Sequence, residues 1–366
     1  MSTYQSSNQG AVVSIFLRGG MDGMHAAIPA ADPQYLGLRP NLGQAAQAAT
    51  DLDGFFRLHA ALEPVHDIYH AGHLAMVHAV GAPDSTHSHF DAQDYLDHGT
   101  PGDKSTSDGW LARAIASTQP VSPLAGVAMG NKVVESMRHA SQSIISVSTL
   151  ENVGLVHPLA GMDLWIDAMA AGDDLLGPIT DATFAAVETL QALPDPGNTN
   201  LYPNSPFGQQ MSDVARMLKA DIGIQAVALD IGGWDSHADE ETMLTTRFDD
   251  LARGLRVFFE DMGGLMQSTT VLVMSEFGRR AYENASGGTD HGTAGCMMVM
   301  GDGIKGGQVF TQWPGLSSNQ LNHHGDLMPT TDYREVVSEL LDARHYYPDL
   351  GTVFPGFSST GYLGLV

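Results

Sequence analysis

The chain has 366 residues, with 42 acidic against 17 basic side chains and a formal net charge of −25. This charge argues against nucleic acid as a partner, because a phosphate backbone is bound by clustered Lys and Arg. The one cysteine, Cys296, excludes an internal disulfide and lies in an apolar run that predicts a buried thiol. No apolar stretch approaches the roughly 20 residues of a membrane span, so we expect no insertion into a bilayer.

Short apolar runs followed by turn residues predict buried strands. In chain order they are 12–17, 74–80, 127–129, 144–147, 224–229, 270–274 and 297–300. Between the runs 224–229 and 270–274, apolar residues recur at helical spacing from Leu244 to Met262. This pattern predicts a strand–helix–strand unit and a parallel sheet. We therefore predict one α/β domain over 1–366, a three-layer sandwich with a central, mostly parallel sheet. Helical stretches over 161–171, 181–193 and 209–220 predict a helical insertion near 150–220.

Acidic and histidine residues follow the predicted strands or precede the last one. They are Asp22, Asp235, His237, Glu276, Asp290 and His291. Open parallel sheets bind ligands outside the carboxyl ends of their strands, so this placement predicts a divalent metal site. Oxygen and imidazole ligands suit Zn, Mn, Mg or Ca, depending on their balance. Local roles are the alternative, with Asp235 as a helix cap and Asp290 as a turn residue.

A second group of candidate residues lies in the loop after the run 74–80 and in the turn after 270–274. Ser88 is the best-placed hydroxyl for a nucleophile that attacks an ester beside a metal, and its alternative is to cap the next helix. We interpret His89 as a metal ligand, an acid–base group or an anion donor. Arg279 follows a strand end and is predicted to clamp a phosphate or sulfate oxygen, with a surface salt bridge as the alternative.

Five motifs together resemble one bacterial family, the domain of unknown function numbered 1501, which is grouped with the sulfatases and alkaline phosphatases. They lie at 16–23 (FLRGGMDG), 88–91 (SHFD), 233–237 (GWDSH), 275–279 (SEFGR) and 290–292 (DHG). The resemblance covers nearly the whole chain in order. It implies an α/β sandwich that cleaves or transfers phosphate or sulfate esters with the help of a metal. It also makes Asp22 an acidic ligand and Ser88, or a neighbour, the nucleophile.

The sequence departs from the superfamily pattern after the run 270–274, where Asp-His is expected and Glu276-Phe277 stands. Phe277 cannot bind a metal. In one alternative, Asp290-His291 is the expected Asp-His pair, delayed by an inserted loop. In the other, His291 corresponds to the last metal-binding histidine of the superfamily pattern, and the strand predicted at 297–300 favours this alternative. The second alternative keeps one metal site, made of Asp235, His237 and His291. It reduces the other site to Asp22 and Glu276, with Asp290 as a further ligand.

The predicted function is therefore metal-dependent hydrolysis or transfer of a phosphate or sulfate ester, either small or borne on a polymer. The alternative is a non-catalytic binding or assembly protein that retains a structural metal ion. Members of the family are often exported by the twin-arginine route, and this chain begins just before its first predicted strand. We therefore expect a periplasmic or secreted protein, with the cytoplasm as the alternative location.

Overall fold

A computed structural model of the chain describes residues 10–118, 122, 124–139, 144–153, 176–194, 201–345, 347 and 349–366. Its strands form one large sheet and one small antiparallel sheet. The strands are β1 (Ala11–Arg18), β2 (Ala27–Ile28), β3 (Thr50–Asp51), β4 (Arg57–Leu58), β5 (Leu74–Gly81), β6 (Gly126–Met129), β7 (Ile144–Val147), β8 (Ala226–Gly232), β9 (Thr269–Met274), β10 (Gly295–Met300), β11 (Val309–Phe310) and β12 (Thr331–Asp332). All the runs predicted to be strands lie in the large sheet.

The large sheet is parallel except for one strand. Its order is β11–β5–β10–β9–β1–β8–β6–β7, and β12 pairs with the end of β5. β1 lies between β8 and β9 and runs parallel to both, whereas β10 runs antiparallel to β9 and β5. The residues that follow β1, β5, β8 and β9 therefore meet at one edge of the sheet, together with those that precede β10. The prediction of a mostly parallel sheet is confirmed.

The helices are α1 (Gly23–Ala26), α2 (Tyr35–Leu38), α3 (His66–His70), α4 (His89–His98), α5 (Trp110–Ser117), α6 (Leu176–Gln191), α7 (Pro206–Lys219), α8 (Glu240–Met262), α9 (Tyr333–Glu339) and α10 (Leu350–Val353). The predicted helices 181–193 and 209–220 correspond to α6 and α7. The predicted helix 161–171 lies outside the described residues.

Alternate side chains of β1 face two separate hydrophobic cores. Val13, Ile15 and Leu17 belong to the core that contains α7 and α8. Val12 and Phe16 belong to the core that contains α5 and α9. Successive side chains of a strand point to opposite faces, so this run of apolar residues buries both faces of the sheet. The helices on either side complete the predicted three-layer sandwich.

Two further expectations concern apolar segments. Cys296 lies buried in β10, and burial raises the pKa of its thiol, which keeps the sulfur in its unreactive protonated form. Among the described residues, no helix combines the length and the apolarity that a membrane crossing requires.

Replacement of Phe248 tests the packing of α8 against the sheet. The buried ring of Phe248 lies 5.8 Å from that of Trp234 and 5.3 Å from that of His59, measured between centroids. We expect Phe248→Ala to lower the free energy of unfolding by about 3–5 kcal/mol, because it removes a core aromatic and leaves a cavity. Chemical denaturation measures this change. The control Phe90→Ala removes a side chain that is 88% exposed and should change stability by at most about 0.5 kcal/mol. Equal losses in both variants would contradict this packing.

Candidate metal centre

Four side chains converge at the carboxyl edge of the large sheet: His89, Asp235, His237 and His291. His89 begins α4, the next two follow β8, and His291 precedes β10. Oδ1 of Asp235 lies 3.1 Å from Nε2 of His237 and 3.2 Å from Nε2 of His291. Nε2 of His89 lies 3.4 Å from the same oxygen. One carboxylate oxygen thus lies among three imidazole nitrogens.

Each of the three imidazole rings is held by an acceptor at its other nitrogen, Nδ1. The acceptors are the carboxylate of Glu276 for His89, the carboxylate of Asp290 for His237, and the backbone carbonyl of His87 for His291. The corresponding N···O distances are 2.7, 3.0 and 2.6 Å. With the proton on Nδ1, the lone pair of each Nε2 points towards the shared centre. Metal-binding histidines in proteins are oriented in this way.

These donor atoms fit a cation. Nε2 of His237 lies only 2.9 Å from Nε2 of His291. Nε2 of His89 is buried and has no hydrogen-bond partner in the described part of the chain. Lone pairs that face one another at this distance repel unless a proton or a metal cation lies between them. The side chains of Asp235 and His237 are each 44% exposed, so an ion held here would keep one side open to solvent.

The carboxylates around the centre are ionised. Burial opposes the ionisation of Asp235, but the guanidinium of Arg279, at 2.6 Å from Oδ1, outweighs it and lowers the pKa of Asp235 to about 2. Burial also opposes the ionisation of Glu276, whose pKa is nevertheless lowered by hydrogen bonds from His89 and Gln93. The hydrogen bond to Glu276 in turn raises the pKa of His89. The centre therefore presents the deprotonated carboxylate that a metal ligand requires.

Arg279 lies fully buried beneath the centre. Besides Asp235, its guanidinium donates to the backbone carbonyls of Gly19, Gly20, Thr289 and Trp234. All three of its nitrogen atoms take part, and the side chain has no surface that an ester in solvent could reach. This geometry favours a role in positioning Asp235 over the predicted clamp on a phosphate or sulfate oxygen.

Asp22 does not join the cluster. Its Oδ1 accepts hydrogen bonds from the backbone N–H groups of Met24 and His25, which makes it the N-cap of α1. Its Oδ2 forms a buried ion pair with Nη1 of Arg39 at 2.5 Å. Both oxygens are therefore engaged, and the predicted role of Asp22 as a metal ligand does not fit this geometry.

Ser88 lies next to the cluster, at the N-cap position of α4, but its side chain makes no capping hydrogen bond. The hydroxyl lies near the carboxyl group of Asp91, whose pKa is lowered first by Lys104 and to a smaller extent by Ser88. No hydrogen bond in the described chain joins this hydroxyl to the four converging side chains.

Glu276 and Asp290, which were predicted to bind the metal, lie behind the histidines instead. They accept hydrogen bonds from Nδ1 of His89 and of His237, respectively.

Two amides complete the centre, and the sequence analysis missed both. Gln93 lies four residues after His89 in α4, and its Nε2 donates to Glu276 at 2.7 Å. That helical spacing was a usable signal, because residues i and i+4 share one face of a helix. Asn284 donates to Asp290 at 3.3 Å from a loop that carries no comparable pattern.

A second group of possible ligands comprises His25, His59 and Glu241. Nε2 of His25 lies 2.9 Å from Glu241, and Nε2 of His59 lies 3.4 Å from it. Nδ1 of His59 accepts the N–H of Ala61, so the proton of the neutral ring lies on Nε2 and is donated to Glu241. Nε2 of His59 therefore has no lone pair to offer a cation, although Nδ1 of His25 is buried and has no hydrogen-bond partner in the described part of the chain.

The sequence model of a family described as "Protein of unknown function (DUF1501)" matches residues 78–345. No curated protein matches the chain.

Among solved structures, the PsFucS1 sulfatase from Pseudoalteromonas sp. is similar at 11% identity and a TM-score of 0.39, over 83% of this chain and 64% of the sulfatase. This chain thus spans less than two thirds of that protein. The Zn complex of the C-terminal periplasmic domain of EcEptC from Escherichia coli matches at 10% identity and a TM-score of 0.40, over 97% of this chain and 89% of that domain. The phosphonate monoester hydrolase of Agrobacterium radiobacter matches at 9% identity and a TM-score of 0.42, over 97% and 79% of the two chains.

Proposed function

The chain belongs to the DUF1501 family, and we propose from its site that it is a metal-dependent enzyme that hydrolyses or transfers phosphate or sulfate esters. The observation that carries this proposal is the convergence of three imidazole nitrogens on one carboxylate oxygen, at an edge of the sheet that is open to solvent. When bound there, a divalent cation supplies Lewis-acid stabilisation of an ester oxygen. A periplasmic or secreted location stays a prediction.

The donor set favours one ion of the zinc type. Three nitrogens and one carboxylate suit Zn²⁺ better than Mg²⁺ or Ca²⁺, which prefer sites made of oxygen ligands. The predicted second site would need Asp22 and Glu276. Asp22 is paired with Arg39, and Glu276 accepts from His89. We therefore propose a single cation held by the four converging side chains.

The substrate that we propose is an anionic ester, small or borne on a polymer, which approaches from the exposed side of Asp235 and His237. Ser88 stays the proposed nucleophile or substrate contact, because it is partly exposed and directly precedes His89. Glu276 and Asp290 hold the imidazoles in the orientation that leaves Nε2 free for the cation.

Metal analysis combined with an ester screen tests this function. We expect about one equivalent of zinc per chain and saturable turnover of a phosphate or sulfate ester that chelation removes and zinc restores. Ser88→Ala should lower turnover by at least about 100-fold with zinc content unchanged, whereas Ser105→Ala on the exposed surface should change neither. A protein that takes up no zinc, Mn or other divalent ion would contradict the proposal.

One observation favours a second candidate, a non-catalytic binding protein with a structural ion. In the described part of the chain, the hydroxyl of Ser88 makes no hydrogen bond with the four converging side chains, and the guanidinium of Arg279 is fully buried. Neither residue is therefore prepared to act as a nucleophile or as an anion clamp. Zinc that raises the melting temperature without turnover on the same ester panel would support this candidate.

A further inference from the structure

A buried network of ionisable and polar side chains lies beneath the metal centre, and the proposed chemistry does not use it. Its members, all fully buried, are Asp22, Arg39, Glu240 and Thr289. Besides pairing with Asp22, Arg39 donates to the backbone carbonyls of Arg280 and Ala281 at 2.8 and 3.1 Å. The network thus joins the turn after β1 to the segment that follows β9.

Glu240 connects the two loops that carry the proposed ligands. Its Oε2 accepts a hydrogen bond from Oγ1 of Thr289 at 2.7 Å. The backbone N–H of Thr289 donates to the carbonyl of Ser236, and that of Glu240 donates to the carbonyl of Gly287, both at 3.0 Å. Ser236 lies between two of the proposed ligands, and Thr289 lies two residues before a third. The position of one loop therefore depends on the position of the other.

The second oxygen of Glu240, Oε1, lies in a buried site beside another carboxyl group. Oε1 is buried, and no donor in the described part of the chain reaches it. The negative charge of Asp22 lies near this carboxyl group and opposes a second negative charge in the same buried site. Burial, followed by the charge of Asp22, raises the pKa of Glu240. Burial opposes the ionisation of Asp22 as well, but the charge of Arg39 outweighs it and lowers the pKa of Asp22 to about 2.

We propose that Glu240 is a positioning residue of the metal centre, which holds the loop of Asp235 and His237 against the loop of His291 through its hydrogen bond with Thr289. The side chain of Glu240 accepts from the hydroxyl of Thr289, and its backbone N–H donates to the carbonyl of Gly287, so Glu240 contacts the loop of His291 at two points. This inference rests on the proposed metal site, because the loops that Glu240 joins carry its ligands.

Two substitutions at Glu240 distinguish a role in hydrogen bonding from a requirement for a negative charge at this position. The amide of Glu240→Gln keeps one donor and one acceptor, so we expect its zinc affinity to stay within about threefold of the original. Glu240→Ala removes the acceptor of the Thr289 hydroxyl together with a fully buried side chain and should weaken zinc binding by about 10- to 100-fold, as the loss of groups that orient metal ligands typically does. Thr289→Val removes only one hydroxyl donor and should lower the affinity by about threefold to tenfold even if Glu240→Ala does not fold. Glu260→Ala, at an exposed site in α8, is the matched control.

Hydrogen exchange of the metal-free protein is the second measurement. The amides of Thr289 and Glu240 should exchange at least about tenfold faster in Glu240→Ala and at an unchanged rate in Glu240→Gln. The inference is overturned if Glu240→Ala and Thr289→Val leave zinc affinity and exchange unchanged, or if Glu240→Gln is as defective as Glu240→Ala. A wild-type protein that binds no zinc overturns the proposed function instead, and the exchange rates then decide the role of Glu240 by themselves.

Discussion

Replacing His291 with alanine is expected to weaken zinc binding by at least about 100-fold, because the change removes a ligand and not merely a group that orients one. Nδ1 of His291 donates to the carbonyl of His87 at 2.6 Å, so the ring is fixed with Nε2 directed at Asp235. Competition with a chelator of known affinity measures the loss.

The matched control for this variant is His323→Ala, which removes an exposed imidazole from another loop. We expect it to leave the zinc affinity unchanged. If neither variant loses zinc affinity, the proposed centre is excluded. If both variants lose affinity to the same extent, zinc binds surface histidines non-specifically.

Arg279→Met is expected to lower the free energy of unfolding of the metal-free protein by about 3–5 kcal/mol. The guanidinium is fully buried, and its loss leaves several backbone carbonyls without their donors and Asp235 without its counter-ion. Methionine has a similar length, so the loss reflects the hydrogen bonds and the charge more than the volume. Urea denaturation measures it.

Arg253→Met is the control for this second experiment. Arg253 lies on α8 with 63% of its side chain exposed, and its salt bridge with Asp249 is of the surface type. We expect its replacement to cost at most about 1 kcal/mol. If Arg279→Met were as stable as this control but bound phosphate or sulfate more weakly, the predicted anion clamp would be favoured over the positioning role.

Asp22 and His89 show how far local pattern predicts this site. Both were candidates because they lie close to the carboxyl ends of predicted strands. Asp22 is immediately followed by α1, so its carboxylate caps that helix and pairs with Arg39. His89 begins α4 and turns its ring to Glu276, which is 187 residues away in the sequence. The sequence placed both residues near the right edge of the sheet but did not distinguish their roles.

Phe277 shows that a residue excluded as a metal ligand by its type can still contribute to the site. The sequence marked it as a departure from the superfamily pattern because an aromatic ring cannot bind a metal. In the structure its ring packs against the rings of His89 and His291, with centroids 4.8 and 5.1 Å apart. It therefore buries one side of the proposed centre, which no motif could indicate.

The sequence by itself determined seven of the nine strands of the large sheet, the three-layer architecture and the family, and it predicted three of the four residues now proposed as ligands. Periodicity of apolar residues and turn residues at strand ends are local signals, and parallel strands necessarily bring their carboxyl ends together. Only the tertiary structure decided that His89 joins the centre, that Arg279 is buried, and that Glu240 joins the ligand loops. Those outcomes depend on side-chain contacts between segments far apart in the chain, whose distances and burial no local pattern encodes.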